Sequence, residues 1–230
     1  MTFTSSPSSW PSVIVGAILL VYWVKVLQLV VRTRRTVGRA ANIVPPEPLG
    51  RALRIVWGPA VVLWIFLPLL VPFVLDPPAG LRPIWNVYGN GIVGWTMVAI
   101  ALAALTITWV CWIKMGTSWR MGIDPNEKTR LVFTGPYSRV RHPIYGLSQV
   151  LGVVAVVVMP SPVMIAVGAL HVFLMQWESR REEKFLVALH GPVYADYIRQ
   201  TGRFIPRIKA ARPHGADAAF PAEEGATKAA

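Results

Sequence analysis

Two clusters in this chain carry side chains able to do chemistry. The first is Thr134-Gly135-Pro136-Tyr137-Ser138-Arg139-Val140-Arg141-His142-Pro143-Ile144-Tyr145-Gly146. The second is Glu182-Glu183, followed by Tyr194 and Tyr197. In the first, Gly135-Pro136 marks a turn and Pro143 suits the first position of a helix, which leaves His142 near the N-cap. A helix start offers free backbone N–H groups and positive potential, a setting for an anion such as a carboxylate. Tyr137 and Tyr145 add flat faces against which an adenine ring can stack. The competing reading is an interfacial loop in which Arg, His and Tyr simply meet lipid headgroups. Adjacent glutamates point in different directions on a helix, so Glu182-Glu183 do not read as a paired-carboxylate acid–base site. One of them can face a cation while the other stays solvated; the plainer reading leaves both on a solvated face.

The elements that must position these residues are helices in lipid. The chain has 230 residues, 54% of them hydrophobic and 15% charged, where about a quarter charged is usual for a soluble domain. Its apolar residues fall in long runs. Ser12–Val31, Ala52–Leu75 and Gly91–Lys114 are each long enough to span the hydrocarbon of a bilayer, about 30 Å at 1.5 Å per residue. Pro143–Met159 and Val163–Trp177 are shorter, and Pro160-Ser161-Pro162 folds them into a hairpin. The expected fold is therefore all-α and integral to the membrane, with about five transmembrane helices. Glu178–Leu189 continues the fifth helix out of the membrane, and Gly191-Pro192 starts a short further one. Residues 1–115 form the N-terminal membrane helices, 116–208 the core that carries both clusters, and 209–230 a disordered tail rich in Ala, Gly and Pro.

Charge supplies orientation. The net charge of +12 lies in segments flanking the apolar runs, which argues for membrane topology and against a nucleic-acid partner. Arg32, Arg34, Arg35, Arg39, Arg51 and Arg54 crowd the first loop, while Asp76–Asn90 has only Arg82. The first and third loops and the C-terminus are thus expected in the cytosol of a bacterial inner-membrane protein, with the N-terminus outside. Lys25 is expected to snorkel to the cytosolic end of the first helix. Trp10, Trp85, Trp112, Trp119 and Trp177 fall near helix ends, as in an aromatic belt. The first ten residues carry no basic side chain and the run after them exceeds a signal-peptide core of about 7–15 residues, so the first helix reads as retained. Cys111 is alone in an apolar run, and no Cys/His spacing suits zinc, so no metal site is expected.

The hairpin brings the cytosolic ends of helices four and five together, so His142 and Tyr145 become neighbours of Glu182 and Glu183. A pocket with backbone donors, aromatic faces and a carboxylate suits a ligand such as S-adenosylmethionine. At these residues the sequence resembles the isoprenylcysteine carboxyl methyltransferase family and its relatives, the phospholipid N-methyltransferases. The elements run from Gly116-Thr117-Ser118-Trp119 and Leu131-Val132-Phe133-Thr134-Gly135-Pro136-Tyr137 through Arg141-His142-Pro143-Ile144-Tyr145-Gly146. They continue with Glu182-Glu183-Lys184-Phe185-Leu186 and His190-Gly191-Pro192-Val193-Tyr194, and close on Arg203-Phe204-Ile205-Pro206.

The resemblance implies a non-Rossmann methyltransferase with S-adenosylmethionine held at the cytosolic face. By analogy Thr129, Arg130, Leu131, Val132, Tyr137, His142, Pro143, Ile144 and Tyr145 line the cofactor pocket, with Glu182 and Glu183 in contact. Candidate catalytic groups are His142, Tyr145 and Glu182, and the acceptor side is assigned to Glu178, Arg181 and Trp119. One departure bears on the substrate. Prenylcysteine-specific relatives look to have an arginine about one turn before the acidic pair, and here Glu178 stands there. That disfavours a carboxylate acceptor and favours an amine or another lipid headgroup. The alternatives are an NADPH-dependent membrane reductase resembling sterol reductases, and a non-catalytic module that binds lipid.

Overall fold

A computed structural model describes residues 9–37, 48–85, 91–120 and 131–207. The expected tail, 209–230, lies outside the described residues, as do Thr129 and Arg130. The fold is all-α. Its elements are α1 (Trp10–Val37), α2 (Pro48–Leu70), α3 (Gly91–Met115), α4 (Pro143–Val158), α5 (Pro162–His190) and α6 (Pro192–Gln200).

Three segments are long and apolar enough to cross a membrane: Trp10–Thr36, Gly50–Phe73 and Gly91–Met115. Their apolar side chains face outward as well as inward, with Leu27, Ile55, Ile92 and Ile113 all more than half exposed, which only a lipid solvent tolerates on this scale. α4 is shorter, at 16 residues, and α5 is apolar only up to Trp177, beyond which charged residues begin.

The packing follows from these lengths. α1 packs on α2, α2 on α5, α5 on α4, α4 on α3 and α3 on α1, closing a ring. α4 also touches α1 and α2 across the ring, so it meets all four of the other long helices. That central place explains why its Leu151, Val154, Ala155 and Val158 are almost fully buried. Lipid offers no hydrophobic drive between helices, so close approach of small residues does the work. A Cβ on Gly168 of α5 would lie 2.6 Å from Val156 Cγ2 of α4. Gly168→Ala is therefore expected to cost about 1–3 kcal/mol by overpacking, read as a lower unfolding midpoint in detergent; an unchanged midpoint would mean that the hairpin yields there.

Local signals end the helices where the sequence places them. Ser161 caps α5, its Oγ accepting from the Met164 amide at 3.2 Å, and Pro162 occupies the first turn. Gly191 ends α5 at φ 56°, a conformation that a β-carbon would strain, and Pro192 then opens α6. Lys25 sits over the Trp109 ring of α3, 4.5 Å from its centroid. One detail differs from expectation: Trp112 and Trp119 are buried at 3% and 5% exposure, because the ends of these helices frame an internal cavity.

Candidate functional site

That cavity opens at the end of the bundle carrying the basic clusters, and its space is about 810 Å³ including the mouth. Every long helix contributes: Tyr22, Trp23 and Val26 from α1, Arg54 and Trp57 from α2, Trp112 and Met115 from α3. Trp119 and Arg120 follow α3, and Tyr137 comes from the connecting loop. Arg141, His142, Pro143, Ile144, Tyr145 and Ser148 form the α4 wall, and His171, Met175, Glu178 and Glu182 the α5 wall.

His142 sits where the sequence puts it, as the residue before α4 with Pro143 at the first position. Its Nδ1 is 3.6 Å from Glu182 and its Nε2 is 3.5 Å from Glu183. The ring lies parallel to Tyr145, centroids 5.4 Å apart at 6°. Consecutive glutamates point to different sides of α5, and the structure gives them different surroundings. Glu182 lines the cavity. Glu183 is turned away and buried, accepting from Arg141 Nε at 2.8 Å and from Arg203 at 3.0 and 2.5 Å.

This clamp joins three pieces of chain. Arg141 also donates to the carbonyls of Ile198 and Thr201. The Arg141 and His142 amides donate to Gly202 and Arg203 at 2.9 and 3.0 Å, and the Gly202 amide donates back to Arg139 at 3.1 Å. The C-terminal strap thus fixes the loop that presents His142. Burial alone would raise the Glu183 carboxyl; the nearby His142 ring and the hydrogen bonds from Arg203 and Arg141 outweigh it and hold the group well below the usual carboxylate range.

Tyr137 is held from behind, its carbonyl accepting from the Tyr197 hydroxyl of α6 at 2.6 Å. Its own hydroxyl is buried at the cavity with no hydrogen-bond partner in the protein, and burial raises its pKa far above normal. A buried polar atom left alone costs about 1–3 kcal/mol, so this hydroxyl marks a place for a ligand atom. Across the cavity Glu178 accepts from Arg181 at 3.2 Å. Burial raises the Glu178 carboxyl while Arg54 opposes the rise. The Arg54 guanidinium lies over Trp57, 4.8 Å from the ring centroid.

The structure therefore gathers Tyr137, His142, Pro143, Ile144, Tyr145, Glu182, Glu178 and Trp119 around one space. Glu183 belongs to the clamp. Arg181 turns onto the Trp177 ring at 4.5 Å and does not line the cavity. Leu131 and Val132 are half-buried outside it. Sequence reasoning did not foresee Tyr22, Trp23, Arg54, Trp57, Ser148 or His171. Two of them left a signal. An ionisable residue inside an apolar run, as His171 is, points by default to a functional site, and Arg54 counted only as a topology charge.

Residues 97–188 match the isoprenylcysteine carboxyl methyltransferase (ICMT) family, a span that includes α4, most of α5, Tyr137, His142 and Glu182. Two curated relatives overlap the chain. The nickel-cobalt-cadmium resistance protein NccN of Alcaligenes xylosoxydans xylosoxydans is 33% identical over 115 residues, 49% of this chain and 54% of that protein. The cobalt-zinc-cadmium resistance protein CzcN of Cupriavidus metallidurans is 29% identical over 116 residues, 49% of this chain and 53% of that protein. The chain thus spans about half the length of these relatives. Through residues 97–188 the chain is similar to the isoprenylcysteine carboxyl methyltransferase family.

Proposed function

We propose that this protein is an S-adenosylmethionine-dependent methyltransferase of the membrane, acting at the cytosolic face on a lipid or isoprenylcysteine-like acceptor. The observation that carries the reading is the cavity at the basic end of the bundle, closed by all five long helices, with the unpartnered Tyr137 hydroxyl and the Glu182 carboxylate on its walls. The residues suit the cofactor. The start of α4 offers the free backbone amides of Ile144 and Tyr145 to a carboxylate, Tyr145 and Tyr137 offer ring faces, and Glu182 offers a counter-charge. When bound, the cofactor's sulfonium supplies an electrophilic methyl group, so the protein's task is chiefly positioning and exclusion of water.

Arg54, Glu178, Trp23 and Trp57 form the acceptor side, between helices an amphiphile can enter from lipid. A carboxylate acceptor needs no base, whereas an ammonium must first lose a proton. His142, Glu182 and Tyr145 are within reach, and Glu178, with its raised pKa, joins them.

The test is direct. Purified protein should bind S-adenosylhomocysteine by calorimetry and move label from radiolabelled S-adenosylmethionine into one fraction of total membrane lipid. Tight NADPH binding without either result would instead favour the reductase reading, and none of the three the non-catalytic one. Tyr137→Phe sharpens the test. It removes a buried, unpartnered hydroxyl, so the ligand-free protein should unfold no earlier than wild type, while affinity for S-adenosylhomocysteine falls about tenfold. Unchanged affinity would remove Tyr137 from the site.

A further inference from the structure

On the membrane-embedded side of the cavity wall lies a buried polar chain centred on His171, a residue that the reading above does not use. His171 of α5 is 3% exposed and Ser148 of α4 is also 3% exposed. Trp57 Nε1 donates to His171 Nδ1 at 3.5 Å, His171 Nε2 lies 3.2 Å from Ser148 Oγ, and Ser148 Oγ donates to the Tyr145 carbonyl at 2.9 Å. An indole N–H can only donate. Nδ1 is therefore the acceptor, the ring proton sits on Nε2, and Nε2 donates to Ser148. The chain has one direction, from Trp57 through His171 and Ser148 to Tyr145, and every group in it is used. An imidazolium would set Nδ1–H against the Trp57 N–H, so this ring is held neutral and is no proton acceptor for the reaction.

A polar network in lipid is costly, and its ends show what it connects. Trp57 carries the Arg54 guanidinium on its ring face, on the acceptor side. Tyr145 is the residue stacked on His142, on the cofactor side. We infer that His171 is a positioning residue that sets the acceptor wall of α2 in register with the cofactor wall of α4. The inference rests on the methyltransferase reading and adds to it a residue in the middle of the membrane that touches neither reacting atom.

A misplacement of about 1 Å between reacting partners costs about 100-fold in rate. In full-length protein in nanodiscs, His171→Leu and Trp57→Phe should each lower kcat for label transfer by about 100-fold. Affinity for S-adenosylhomocysteine should stay near wild type, and the unfolding midpoint should fall only modestly. His171→Gln, which keeps an acceptor and a donor, should recover most of the rate. The double variant should be no worse than either single one, because both break one chain. Wild-type turnover in His171→Leu, or parallel loss of rate, cofactor affinity and fold in both single variants, overturns the inference. If the wild-type protein transfers no label at all, the functional reading fails on its own, and the relay is then judged by ¹⁵N NMR of the histidine. Protonation at Nε2 alone supports it, and a proton on Nδ1 overturns it.

Discussion

Glu183→Ala should give the largest loss of stability of any single substitution near the site. The Arg141 side chain is 7% exposed and the Glu183 side chain 8%, so the variant leaves a buried guanidinium without its counter-charge. Breaking a buried pair from one side costs about 3–5 kcal/mol. The damage should spread, because Arg141 and Arg203 also hold the strap at Gly202 beneath His142. Thermal unfolding in detergent should show a markedly lower midpoint, and Glu183→Gln, which keeps acceptor oxygen and shape, a smaller drop. A variant within about 0.5 kcal/mol of wild type, the scatter of ordinary surface substitutions, would show that the strap stands without the clamp.

Acid adds a second reading of the same group. A carboxyl depressed in the folded state contributes stability that is present above its unfolded pKa, about 4.3, and is lost as pH falls through the folded value. Since Glu183 is held well below the ordinary range, its contribution should persist at pH 5. It should disappear only in strong acid, and Glu183→Ala should abolish that acid-sensitive component.

The second large effect falls on binding. Glu182→Ala should weaken S-adenosylhomocysteine binding by about 10–100-fold, the equivalent of about 1.5–3 kcal/mol for a hydrogen bond to a charged group. The fold should survive, since the Glu182 side chain is 27% exposed, lies 3.6 Å from His142 and takes no part in the Glu183 clamp. Methyl transfer should fall at least as far as affinity. The two neighbouring glutamates thus separate cleanly, one by calorimetry at constant stability and the other by stability itself. Equal melting losses in both variants, or full affinity in Glu182→Ala, would remove Glu182 from the pocket.

Much of this was legible in the order of residues, for a physical reason. Lipid requires long apolar runs whose backbone groups bond internally, so α1, α2 and α3 can be read directly. Proline and glycine punctuate locally, which is why the breaks at Pro160-Ser161-Pro162 and Gly191-Pro192 and the start of α4 at Pro143 needed no tertiary information. Spacing on a helix also told that Glu182 and Glu183 could not share one task.

Which of them faces the cavity was a matter for packing, because either answer satisfies the helix. It took the strap of residues 201–207, returning beside Val140, to claim Glu183. The other half of the cavity was hidden for the same reason. Tyr22, Trp23, Arg54 and Trp57 lie on helices whose sequences speak only of lipid, and they reach the site because α1 and α2 complete the ring around α4. Trp112 reads as an interfacial ring until that closure turns it inward. The sequence by itself determined the elements, the proline and glycine breaks between them and the His142, Tyr145 and Glu182 part of the α4–α5 wall, all of which are local or periodic properties. Only the tertiary structure decided which side chains meet across the bundle, since contacts between distant helices leave no period and no spacing in the chain.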